Sequence, residues 1–190
     1  MSYIEDIRAF EPANDQEEND RRLVLDFIAA HPHDVLLRDN EVAHLTSSGF
    51  VMDPAGQKLL LAHHNILDTW AWTGGHTDGD EDLAAVALRE AEEETGATGF
   101  TLLSPRIASI DILTVPGHHK RGRYVSAHLH LSVAYLLTLP LDAPLHHHRS
   151  GENTGVAWFP ASWVTPQHLS PGDVALYQKL ISRTRALLRA

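Results

Sequence analysis

The chain contains no cysteine, which excludes disulfide bonds, thiolate metal sites and catalysis by a thiol. That absence fits a reducing compartment, and we expect a cytoplasmic protein. The sequence also has no run of about 20 apolar residues, the length needed to span a membrane. Its polar N-terminus, MSYIEDIRAFEP, does not have the pattern of a signal peptide. We therefore expect no membrane partner.

Positive charge is also scarce in this sequence. Fifteen Lys and Arg residues stand against 25 Asp and Glu, for a formal net charge of −10. Because such a surface repels a phosphate backbone, we expect no nucleic-acid partner. An acidic protein that handles phosphates must do so through a metal ion and a few placed cations. With 190 residues, 43% of them hydrophobic, the chain suits one globular domain with a sizeable core.

The periodicity of apolar residues predicts a mixed α/β arrangement. The first dozen residues are expected to form a loosely held arm, followed by a helix over 15–30; residues 1–33 are then an extension of a domain over 34–190. Further helices are expected after Asp82 and after Ser170, because both residues are good N-caps. Strand-like runs occupy 34–38, 42–52, 58–64, 100–103, 107–115, 124–139 and 155–159, and a turn over 53–56 joins the second and third into a hairpin.

One predicted helix, within Gly74 to Ala97, carries an unusual concentration of acids. Glu90, Glu93 and Glu94 share one face at helical spacing, opposite an apolar side. Like charges at this spacing weaken a helix by a few tenths of a kcal/mol per pair. Carboxylate oxygens are also the ligands that Mg²⁺ prefers. The face is therefore either a divalent-metal site or an ordinary solvated surface.

The spacing around this face is more specific than the face itself. The fixed positions are Gly75, Glu81, Arg89, Glu90, Glu93, Glu94, Gly96 and Ala97. This arrangement resembles the signature of the Nudix hydrolases, the MutT-like pyrophosphohydrolases. Two departures concern packing: Thr73 stands where the family often has proline, and the aliphatic positions hold the small residues Ala91 and Ala97.

The resemblance implies a Nudix-like α-β-α sandwich with a mixed sheet, here with an N-terminal helical extension. It also implies that Glu90, Glu93 and Glu94 coordinate Mg²⁺ or Mn²⁺, with Glu93 a candidate general base. The carbonyl of Gly74 or Gly75 is a further candidate ligand, since glycine lets the backbone approach closely. Glu152 resembles the late glutamate that supplies another ligand or the base in some members.

The remaining signature positions have more structural roles by the same resemblance. Glu81 and Arg89 match an ion pair that holds the loop against the helix, although Arg89 is also a candidate for contact with phosphate. Gly75 belongs to the glycine turn. Gly96 is expected in the left-handed conformation that ends the helix.

Outside the signature, several residues are candidates for contact with substrate. His118, Lys120, Arg121 and Arg123 form a dense cationic segment that either clamps a phosphate or is a solvated turn. His128 and His130 share one strand face and point either into a pocket or into ordinary packing. Trp70 either stacks on a base or belongs to the core. The triplet His146 to His148 is interpreted as an exposed loop.

The resemblance implies metal-dependent hydrolysis of a diphosphate linkage in a nucleoside diphosphate joined to another moiety. One alternative is a non-catalytic Nudix-like domain that binds a nucleotide and regulates another process. A weaker alternative is an isopentenyl-diphosphate isomerase, whose chemistry uses a cysteine that this chain lacks. The N-terminal helix suggests a possible homodimer, but it could equally pack on its own chain.

Overall fold

A computed structural model describes residues 2–64, 68–120, 122–146 and 153–190. The chain divides into two compact units. The first comprises Met1–Ser48, Gly74–Ala87 and Arg106–Tyr135, and the second comprises Gly49–Thr73, Leu88–Pro105 and Leu136–Ala190. No helix in the described ranges has the length and apolar character needed to cross a membrane.

Four α-helices form in the described residues: α1 (Tyr3–Ala9), α2 (Asp15–Ala30), α3 (Leu83–Thr95) and α4 (Pro171–Leu187). The helix predicted over 15–30 is confirmed as α2, whose N-cap Asn14 accepts a hydrogen bond from the Glu17 amide. Ser170 caps α4 as expected. The prediction of a loosely held N-terminal arm was wrong. Ser2 and Glu5 form a capping box at the start of α1, and Ile7 of this helix is buried.

The strands are β1 (Ala43–Met52), β2 (Lys58–His64), β3 (Thr69–Ala71), β4 (Thr73–His76), β5 (Thr101–Leu102), β6 (Ser109–Val115), β7 (His118–Lys120), β8 (Arg123–Val125), β9 (His128–Thr138) and β10 (Asn153–Pro160). Eight strands pair in the order β10-β2-β1-β9-β5, with β3 on β2, β4 on β1 and β6 on β9. The predicted β1–β2 hairpin is confirmed by antiparallel pairing of Met52 with Leu59.

The sheet is mixed, as predicted. The amide of Leu129 donates to Val42 O and the amide of Leu139 donates to Met52 O, so residue numbers rise together along β1 and β9. That relation defines a parallel pair, whereas β2 pairs antiparallel with β10. The mixed α/β arrangement expected from the sequence is confirmed.

Two strand predictions were wrong. Residues 34–38 form turns rather than a strand, because the amide of Val35 bonds back to His31 O (3.1 Å) and that of Leu37 to Asp34 O (2.9 Å). The run 124–139 is interrupted at Ser126 and Ala127, and its first part, β8, pairs with β7 in a separate two-stranded sheet. In the described residues the dense cationic segment is therefore largely a pair of strands, called here the basic hairpin (His118–Lys120 and Arg123–Val125).

Helix α2 packs on its own chain, within the first unit. Gln16 Nε2 donates to Asp111 Oδ1 on β6 (3.2 Å), and the Ile112 amide donates to Asp20 Oδ2 (3.0 Å). Between these contacts the buried Glu17 accepts a hydrogen bond from Ser109 Oγ at 3.3 Å. The N-terminal helix is thus tied to β6 by polar contacts, and a homodimer through this helix stays a prediction.

The core of the second unit explains the two small residues in the signature. Ala91 and Ala97 are 0% and 1% exposed and belong to a buried cluster with Leu60, Leu137 and Leu139. A larger aliphatic side chain at either position would have to displace these leucines, which a well-packed core resists. These two small residues therefore concern the packing of the core rather than the acidic face of α3.

Candidate functional site

The acidic face of α3 (Glu90, Glu93 and Glu94) lies away from the core. On the helix's other side Ala87 and Ala91 are fully buried, whereas Glu93 is exposed and Glu90 and Glu94 are half-buried. The helix begins at Asp82, whose Oδ1 accepts a hydrogen bond from the Ala85 amide (3.0 Å). Burial on one side and access to water on the other leave the three carboxylates accessible from solvent.

The donor set on this face fits Mg²⁺ or Mn²⁺. Three carboxylates supply only oxygen atoms, and these hard cations bind oxygen while keeping positions for water and substrate phosphate. The Glu90 side chain keeps 18% of its exposure, so it is accessible without being freely solvated. Glu90, Glu93 and Glu94 are therefore the residues that would hold such a cation.

Arg89 lies beside the acidic face. Its Nη2 is 3.6 Å from Glu90 Oε1, and the Arg89 side chain is 40% exposed. A guanidinium at this distance balances part of the negative charge and can orient the carboxylate. The pairing of Arg89 with Glu81 that the family resemblance implies stays a prediction.

Gly74 packs closely against β1, which is possible because glycine has no side chain. A Cβ built at this position would lie 2.3 Å from Ser48 Oγ and 2.9 Å from Ser48 Cα, closer than real atoms approach. The neighbouring Thr73 hydroxyl donates to Gly49 O at 2.8 Å. Close packing of β4 on β1 is thus sufficient reason for glycine at 74, and its role as a carbonyl ligand stays a prediction.

Gly96 follows the last residue of α3 and has φ +63°. Its amide donates to Glu92 O at 2.8 Å, and a Cβ at this position would lie 2.3 Å from His146 O. Only glycine adopts this backbone conformation at little cost, and only glycine leaves space for the neighbouring carbonyl.

The basic hairpin presents cations on a short ribbon. Lys120 pairs with Arg123, and His118 with Val125, while Arg123 and His119 are exposed. Their separation into two paired strands fixes the side-chain directions, which a solvated turn would not do. Contact of His118, Lys120 and Arg123 with substrate stays a prediction.

Trp70 packs on the edge of the second unit. Its ring makes an edge contact with Phe159 at a centroid distance of 4.8 Å, and it lies near Gly155, where a Cβ would be 3.2 Å from the indole. His63 contacts the ring at 5.1 Å. The indole is half-buried, and these contacts agree with the core interpretation while leaving base stacking a prediction.

Three histidines that do not share a sequence motif come together in the first unit. His44 on β1, His76 on β4 and His130 on β9 form a group, called here the histidine cluster, in which one nitrogen of each ring lies within 4.8 Å of the others. Burial lowers the pKa of His44, lowers that of His76 to about 4 and lowers that of His130 to about 3. Burial therefore favours the neutral form of all three imidazoles.

Sequence reasoning identified only His130 of this cluster. His44 and His76 were not singled out, because nothing in their spacing shows that β4 and β9 both adjoin β1. Arg121, Glu152, His147 and His148 lie outside the described residues, so their predicted roles stay predictions.

The NUDIX domain profile matches residues 42–180, which is most of the chain. The chain belongs to the Nudix family. No curated protein matches the sequence.

One solved structure agrees with this assignment at the level of the fold, and two others are less similar. A MutT protein from Methanosarcina mazei Go1 aligns with a TM-score of 0.54 at 15% identity, over 77% of this chain and 97% of that one. A NUDIX-family hydrolase from Clostridium perfringens gives 0.49 at 21% identity, over 76% and 95%. An Ap4A hydrolase from C. elegans gives 0.46 at 19% identity, over 75% and 98%. At these identities the likeness concerns the fold alone.

Proposed function

We propose that this Nudix protein is a hydrolase that cleaves a diphosphate linkage in a nucleoside diphosphate joined to another moiety, with Mg²⁺ or Mn²⁺ as cofactor. The observation that carries the proposal is the accessible acidic face of α3, set within a Nudix signature whose charged and glycine positions are all present, in a chain of the Nudix family. An intact set of carboxylates is what a hydrolase requires and what a purely nucleotide-binding domain can lose.

The chemistry follows from the charges involved. Phosphate oxygens are negative and repel an incoming hydroxide; a bound divalent cation would neutralise them and lower the pKa of a water molecule. Glu90 and Glu94, which are half-buried, are suited to hold the cation. Glu93 is exposed, so it can accept the proton of the attacking water in the role of general base.

Glu92 provides a matched control for Glu93. It is exposed on the same helix, one residue away, and the family signature does not include it. Glu93→Gln and Glu92→Gln change net charge and helix propensity equally. We expect Glu93→Gln to lower kcat by about 100- to 10,000-fold, the range for general-base catalysis, with Glu92→Gln near wild type.

The assay follows phosphate or nucleotide release from nucleoside triphosphates, ADP-ribose, dinucleoside polyphosphates and NADH. Each substrate is tested with Mg²⁺, with Mn²⁺ and with EDTA, and circular dichroism checks that both variants fold. Turnover that survives EDTA would contradict the metal requirement, and equal rates for the two variants would contradict the role of Glu93. Nucleotide binding without turnover would favour the regulatory alternative.

A further inference from the structure

The histidine cluster contains buried ring nitrogens that form no hydrogen bond within the described part of the protein. His44 Nδ1 is 2.9 Å from Asn40 O, so it donates its proton there and leaves Nε2 with a free lone pair. Nε2 of His44 and Nε2 of His130 are both buried, and neither has a hydrogen-bond partner. Buried polar atoms without a partner are rare, because each costs the desolvation that a partner would repay.

The three imidazole rings lie closer together than the spacing of their strands requires. His44 lies on β1, and β4 and β9 both pair with that strand. Neighbouring strands are about 4.8 Å apart, so rings standing upright on β4 and β9 would be roughly twice that distance from each other. The observed centroid distances are 5.0 Å for His44–His76, 5.2 Å for His44–His130 and 5.1 Å for His76–His130. The outer rings therefore lean inward and close a nearly equilateral triangle.

We propose that His44, His76 and His130 form a binding site for a borderline transition-metal cation of the Zn²⁺ class, with no residue in common with the acidic face of α3. Neutral imidazole nitrogens are ligands that Zn²⁺ prefers, whereas Mg²⁺ prefers oxygen. The hydrogen bond from His44 to a backbone carbonyl is the kind of contact that orients a metal-binding histidine. Three protein ligands leave a fourth position for water or an oxyanion.

The distances require a modest adjustment. Zn–N bonds of about 2.0–2.1 Å in a tetrahedral site place ligand nitrogens roughly 3.3 Å apart. The nitrogens of the cluster lie within 4.8 Å of one another, so side-chain rotations that close each pair by up to about 1.5 Å complete the site. A fourth ring, His128, lies 5.1 Å from His44, and its Nδ1 is held by Ser126 O.

The proposal does not depend on hydrolase activity and is tested by metal binding. The protein is used without an affinity tag, and His146, His147 and His148 are changed to Asn to remove binding by that run. This background protein is stripped with EDTA, and Zn²⁺ is titrated in competition with a coloured chelator. We expect each protein molecule to bind one Zn²⁺ ion tightly. The thermal midpoint should also rise, because a ligand that binds the native state stabilises that state.

Substitutions then locate the site. His76→Gln and His130→Gln should each weaken Zn²⁺ binding by at least roughly 100-fold, because even outer-shell changes cost 10- to 100-fold. His33→Gln, at an exposed position, is the matched control and should bind like the background. Changing Glu90, Glu93 and Glu94 together to Gln should also leave the Zn²⁺ equivalent intact.

A spectroscopic measurement covers the case in which the His76 and His130 variants do not fold. X-ray absorption at the zinc edge of the loaded background protein should show three imidazole ligands with Zn–N distances of about 2.0–2.1 Å. Absence of a tight equivalent, oxygen-only coordination, or loss of binding in the glutamate variant would each overturn the proposal.

Discussion

The substitution Gly74→Ala tests whether glycine at this position serves packing. The added Cβ would meet Ser48 Oγ at 2.3 Å, Ser48 Cβ at 2.7 Å and Ser48 Cα at 2.9 Å. The last contact is with the backbone, so rotating the serine side chain cannot relieve it. Overpacking of this kind costs about 1–3 kcal/mol. At 2–4 °C per kcal/mol for a chain of this size, the thermal midpoint should fall by roughly 2–12 °C.

The same variant separates packing from metal ligation. If β4 needs glycine to pack on β1, the loss of stability should be the same in EDTA and in Mg²⁺. If glycine is needed only to let the carbonyl of residue 74 approach a metal, stability should fall in Mg²⁺ and the metal-free protein should be unaffected. Urea unfolding of wild type and variant under both conditions gives the comparison. Equal stability of the two proteins in EDTA would refute the packing explanation.

A second substitution and a control sharpen the test. Ser48→Gly removes the two closest atoms, so the Gly74→Ala, Ser48→Gly double variant should recover about 1 kcal/mol or more relative to additivity. Gly172→Ala is the matched control: its nearest atom is Ser170 Oγ at 3.9 Å, in the first turn of α4. Because alanine restricts the unfolded chain, this control should gain about 0.4–1 kcal/mol.

Three further substitutions should lower the free energy of unfolding, measured by urea titration. Tyr177→Phe removes the buried hydroxyl that accepts the Trp72 amide at 2.9 Å, and leaving that donor unpaired should cost about 1–3 kcal/mol; no loss would contradict the bond. Gly96→Ala places a side chain at φ +63° and against His146 O, so a loss of at least about 1–2 kcal/mol is expected, and a neutral result would refute the left-handed cap. Asp82→Ala removes the N-cap of α3 and should lower the free energy of unfolding by about 1 kcal/mol. Asp82→Asn should keep most of the stabilisation, because asparagine is also a good N-cap.

Local patterns account for what the sequence predicted well. The bounds of α2 follow from an acidic first turn, a helical apolar repeat and Pro32, all within one segment. The signature around α3 likewise contains its own cap, apolar side and glycine stop. The missed helix α1 also had a local signal, since Ser2 and Glu5 have the spacing of a capping box.

Pairing between distant strands accounts for two features that the sequence did not predict, the break in the strand over 124–139 and the histidine cluster. The alternation of apolar residues continues through Ser126 and Ala127, yet the chain changes partner there, from β7 to β1 and β6. The histidine cluster has the same origin, because its members are brought together by the register of three strands. The periodicity of one segment does not show which distant strands pair with it.

The polar contacts between α2 and β6 have a consequence for the evolution of this chain. Glu17 is completely buried, and Ser109 lies against it with no exposed surface of its own. Loss of residues 1–33 would expose Ser109 and Asp111 to solvent. It would also expose the apolar surface against which Val24 and Ile28 are now buried. An N-terminal segment attached in this way cannot be exchanged or shed independently of β6. Mutations in the two segments should therefore compensate each other, and variation at position 17 should depend on the residue at 109.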